Sequence, residues 1–131
     1  MNDYNKNDLI KYRLSKATET FSEVQNLVKL GYYNTAINRL YYSCFYAIIA
    51  LLLNHDISAT THSGVRKMLG LHFISKNKIS QESGKLFSEL FDKRQKGDYN
   101  DFFDFDKSSV EKLILPTKTL IEEIKKNIIL N

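Results

Sequence analysis

The chain has 131 residues with 43% hydrophobic and 26% charged side chains, a net charge of +4, one cysteine and one proline. This suits one domain that buries a core without disulfides or metal, and it excludes a disulfide framework. The positive surplus lies in residues 61–100, where eight Lys and Arg stand against four acids.

The start of the chain, MNDYNKNDL, lacks the basic-then-apolar order of a signal peptide, so a cytoplasmic location is expected. Ile10, Leu14, Ala17, Phe21, Val24 and Val28 then recur in steps of three and four, which predicts a helix over Asp8–Leu30. Asn7 or Asp8 can cap it, and Gly31 suits a left-handed stop. After a short connection at Tyr32–Tyr33 comes Ala36–Asn54, AINRLYYSCFYAIIALLLN, the longest apolar stretch. It has no Gly or Pro and a single charge, Arg39. It is too short and too polar at both ends for a membrane span, so it reads as the central helix of a soluble bundle. Cys44 lies inside it as a packing residue. Asn38, Arg39, Tyr42 and Tyr46 gather along one side of its first turns, which points to a polar site or interface there.

His55–Thr61 is a predicted loop, with Thr60 or Thr61 as the next cap. Val65, Met68, Leu69, His72 and Phe73 give a short amphipathic helix, and Ser75–Ile79 a turn leading to Ser80 as a cap. Leu86, Phe87, Leu90 and Phe91 form the stripe of a fourth helix. Arg94 falls one turn beyond Leu90 and therefore points inward. Gly97 is expected to stop that helix, and Asp106 to cap a last one carrying Val110, Leu113, Ile114, Thr117, Ile121, Ile124 and Ile128. Pro116 should kink it. With no strand pattern, repeat or linker, the expected fold is all-α, an up-down bundle of about five helices in one domain over residues 1–131.

His55, Asp56 and His62 have no metal-ligand spacing, and neither a phosphate loop nor a hydrolase motif is present. Neither metal nor cofactor is expected. Arg66, Lys67, Lys76 and Lys78 form an acid-free basic stretch, readable as a solvated face or as a phosphate-attracting stripe. RQKGDY, Arg94–Tyr99, has two readings as well. Arg94 can hold a phosphate bidentately beside Tyr99, or it can pair with Asp98 and close the helix end.

Taken together, AINRLYYSCFYAIIALL, THSGV and RQKGDY resemble the HEPN family (higher eukaryotes and prokaryotes nucleotide-binding domain), in its small single-domain bacterial and archaeal branch. The likeness covers roughly residues 8–126, and Arg39, Tyr41 and Tyr42 form its Arg-x-Tyr-Tyr piece. It implies a helical bundle that forms a homodimer. Many members are metal-independent ribonucleases, toxins paired with a nucleotidyltransferase antitoxin, or parts of defence systems. Their catalytic pattern is Arg, four to six residues, then His. Arg94 matches the Arg, but Tyr99, Asn100 and Asp101 occupy the places where His would fall. Asp98 could accept a proton and Tyr99 donate one. His62 could supply the imidazole if its helix starts near Arg94.

The expectation is therefore a toxin–antitoxin or defence protein that binds RNA or nucleotide at a dimer cleft, without a membrane. Its catalytic candidates are Arg94, Asp98 and Tyr99, and its binding candidates are Arg39, Tyr42, His62, Arg66 and Lys67. The competing expectation is a non-catalytic adaptor that binds a partner protein through the same surface.

Overall fold

The structure, a computed structural model, describes residues 3–99 and 104–130. Those residues form helices and no strand: α1 (Asp3–Ser22), α2 (Val24–Lys29), α3 (Tyr33–Asn54), α4 (His62–Leu69), α5 (Gln81–Tyr99) and α6 (Lys107–Lys126). A π-helical turn, Gly70–Ile74, extends α4. All five other helices pack against α3.

The first predicted helix starts earlier than Asp8 and is divided at Glu23, between α1 and α2. Ile10, Ala17, Val24 and Val28 are buried along both pieces, so one apolar stripe survives the break. Gly31 ends α2 with φ of +80°. The Gly31 N–H donates to the Val28 carbonyl and the Tyr32 N–H to that of Leu27. This paired arrangement closes a helix end and needs a residue that tolerates the left-handed region.

By length and composition α3 could cross a membrane. Eleven of its residues, from Ala36 to Leu52, are instead buried in the bundle, so its apolar character is that of a core helix.

Three predicted caps form. Thr61 accepts from the Gly64 N–H at 2.9 Å, Ser80 from the Ser83 N–H at 3.1 Å, and Asp106 from the Ser109 N–H at 2.8 Å. The Ser80 cap is tied to α6, because Glu123 accepts from the hydroxyls of Ser80 at 3.0 Å and Ser83 at 2.8 Å.

Gly97 does not stop its helix, since α5 runs on to Tyr99. A Cβ at Gly97 would come within 3.1 Å of the Phe105 ring, so this glycine lets the segment after α5 approach closely. That segment is anchored where the Phe105 N–H donates to Asn34 Oδ1 at 2.8 Å, beside the start of α3. α6 is one helix through Pro116, with Val110, Leu113, Thr117, Leu120, Ile121 and Ile124 buried.

Candidate functional site

Positions 38, 41, 42 and 45 of α3 follow the i, i+3, i+4, i+7 spacing of one helix face. That face meets the start of α4 and the last turns of α5. Tyr41 is fully buried there, its ring stacked on Phe87 at 5.4 Å and on Phe45 at 5.9 Å. A buried phenol needs a partner for its hydroxyl. His62, held as the first residue of α4 by the Thr61 cap, places Nδ1 2.7 Å from the Tyr41 oxygen. The imidazole also stacks on Phe45, with centroids 4.5 Å apart.

Arg94 reaches this cluster from α5. It points inward, as its place after Leu90 predicts, and is only 6% exposed. Its guanidinium carbon lies 4.8 Å above the Tyr41 ring and 5.8 Å from that of Tyr42. An ion pair with Asp98 spans 3.8 Å, and the buried Nε has no hydrogen-bond acceptor among the described residues. Burying a charge without full pairing costs several kcal/mol, by order of magnitude. The fold thus holds a buried cation with its Nε donor unpaired among the described residues.

Asp98 is shared, since it also accepts from Asn38 Nδ2 at 3.1 Å. The Asn38 carbonyl oxygen in turn accepts two bonds from Arg39, at 2.7 and 3.1 Å. Arg39 lies 5.4 Å from the Tyr42 ring. Two guanidiniums are therefore linked through one asparagine and one carboxylate, and the group keeps a net positive charge. Arg66 stands at the margin, 4.9 Å over Phe91 and 3.9 Å from Asp92.

Burial, and then the charge of Arg94, hold the His62 imidazole below its usual range. Burial pushes the Tyr41 phenol upward, which keeps its proton in place. A protonated phenol and a neutral imidazole share one hydrogen bond at Nδ1, and the tautomer in which Tyr41 donates leaves the ring hydrogen on Nε2. The site can offer a planar guanidinium fork and an imidazole N–H to an anion.

Arg94, Asp98, Arg39, Tyr42 and His62 thus come together, with Arg66 beside them. Tyr99 does not join them: it is 76% exposed on the last turn of α5. Lys67 is exposed on α4. Asn100 and Asp101 lie outside the described residues. His55 Nε2 bonds the Asn127 carbonyl at 2.7 Å and Asp56 pairs with Lys6 at 2.6 Å, so the residues weighed as metal ligands serve separate ties. Tyr41 was the residue missing from the sequence-based site. Its signal was a phenol inside an apolar run, which requires a polar partner from elsewhere in the fold.

A family model described as HEPN domain matches residues 10–128. A UPF0332 protein of Thermotoga maritima is 32% identical over 121 residues, 92% of each chain. A candidate toxin of Methanocaldococcus jannaschii, MJ0142, is 33% identical over 88% of this chain and 79% of its own. A second candidate toxin of that organism, MJ0605, is 30% identical over 84% and 81%. The matched span holds α2 to α6 whole and every residue of the Arg94 cluster, and on this match the chain belongs to the HEPN domain family.

Proposed function

We propose that this chain is a toxin-type HEPN protein that binds RNA or a nucleotide through Arg94, at a cleft completed by a second copy. The observation that carries the reading is the buried guanidinium, stacked on Tyr41 with its Nε unpaired among the described residues. A phosphate is the planar-fork ligand that would use those donors. The names of the two Methanocaldococcus relatives support a toxin role, and the family resemblance points to a nucleotidyltransferase antitoxin as the partner. Metal-independent RNA cleavage would draw on His62, the imidazole that shares Tyr41 with Arg94, in place of the absent motif His.

The 3.8 Å pair between Arg94 and Asp98, one turn apart on α5, favours a second reading, in which Arg94 only closes the end of that helix and the chain is a non-catalytic adaptor. The two readings separate on one protein. Arg94→Ala should weaken binding of a fluorescently labelled RNA by about 1–3 kcal/mol, the worth of charge-assisted hydrogen bonds. Arg94→Lys should recover part of it, since an ammonium keeps the charge and loses the fork. If the melting temperature drops while RNA binding holds, the adaptor reading stands. Incubating wild type and Arg94→Ala with tRNA and mRNA in EDTA tests cleavage directly.

A further inference from the structure

Resting on that reading of Arg94, we infer that the groove between α1, α3 and the loop before α4 is a base-binding subsite. It would take the nucleobase next to the phosphate held at Arg94. The groove has a volume of about 450 Å³, within the range of small-ligand sites. Its lining includes apolar Phe45, Ile49 and Leu53 and polar Thr60 and His62. Arg13 supplies its one charge, and no carboxylate lines it among the described residues. A flat apolar body with polar edges and a nearby negative charge fits these walls, which is the description of a nucleotide.

The groove is joined to the Arg94 cluster through His62. One contact of the ring faces the Tyr41 hydroxyl, beneath Arg94, and the ring itself lines the groove. Two ring contacts, of 4.8 and 5.8 Å, lead from the Arg94 guanidinium through Tyr41 to His62. That path is short enough for neighbouring nucleotides of one strand to occupy both sites. The stacked His62–Phe45 pair offers the aromatic surface on which single-stranded bases are held. The positive end of α4, which begins at His62, adds to the attraction for the strand. Arg13, which lines the groove from α1, would meet the next phosphate.

The test compares a short labelled single-stranded RNA with the same strand made abasic, by fluorescence anisotropy at fixed salt. Wild type should prefer the intact strand roughly five- to a hundredfold, the worth of one stacked base. Leu53→Trp, which fills the groove, should erase that preference while Arg94-dependent binding of the abasic strand persists. Arg13→Glu should weaken the intact strand about tenfold or more. It alters a partly exposed helix position, and so keeps the test open if Leu53→Trp fails to fold. Should both strands bind wild type equally, or the folded variants keep the preference, no base occupies the groove. An Arg94→Ala effect would then still uphold the phosphate anchor. If Arg94→Ala changes neither strand, the anchor and the subsite fall together. If Arg13→Glu changes the mass in light scattering and leaves RNA binding intact, the groove is a contact between copies and the inference is overturned.

Discussion

A phenol buried as completely as that of Tyr41 must spend its hydrogen bond inside the protein, and His62 Nδ1 is the partner. Tyr41→Phe should therefore cost about 1 kcal/mol of stability, measured by urea unfolding. In the wild type the folded-state value of His62 is lowered, so the unfolded chain binds the proton more readily. Stability from neutral His62 is present above its ordinary value near 6.5 and lost as pH falls through the lowered one. His62→Gln should flatten stability against pH in that window, which thermal melts at stepped pH would read. Arg94 gives a sharper contrast. Its burial is poorly compensated, so Arg94→Met should keep or raise the melting temperature while weakening RNA binding as Arg94→Ala does. A large drop in stability would mean that the Asp98 pair is what matters.

At the scale of elements, the caps decide where the site sits. Thr61 sets the first turn of α4 and so the position of His62, while Asp106 sets α6 away from the site. Thr61→Ala and Asp106→Ala should each cost about 1 kcal/mol. Only Thr61→Ala should also weaken RNA binding. Equal effects of both on binding would show that helix position at His62 is unimportant. Gly97 shows how a local rule is overridden. Glycine is a poor helix residue and a common stop, yet α5 continues past it, and the Phe105 ring, 3.1 Å from where a Cβ would stand, explains why the position is glycine. The break at Glu23 is the converse, since periodicity continues across it while the hydrogen-bond ladder does not. The Glu23 N–H donates to the Thr20 carbonyl, three residues back, and the Leu27 N–H to the Glu23 carbonyl resumes the four-residue step, which leaves a turn between two helices on one stripe.

For the whole molecule, Cys44 reports on the integrity of the bundle. It is fully buried on α3, and burial pushes its thiol up to about 12. A thiol that is both protonated and covered does not react. An aromatic disulfide reagent should leave the native protein unlabelled and modify Cys44 at the rate of global unfolding. Rapid labelling of native protein would mean that α3 is not held as described. Light scattering at micromolar concentration should give about twice 15.3 kDa if two copies complete the proposed cleft. A monomer at every concentration would remove the shared cleft.

Periodicity, caps and the apolar run were enough to read the all-α class, the order of the helices, the central place of α3 and the inward aim of Arg94. These follow from short-range rules, in which a residue and its neighbours within a turn or two carry the information. The meeting of Tyr41, His62 and Arg94 does not follow from such rules. They lie on three helices, 21 and 32 residues apart from one to the next, and only packing against α3 sets their distances. The same holds for Tyr99, which sequence spacing placed beside Arg94 and which the helix carries outward to solvent. The groove at Arg13 was invisible for the same reason: its walls come from α1, α3 and the 57–61 loop, and no local pattern marks residues that meet only across a bundle.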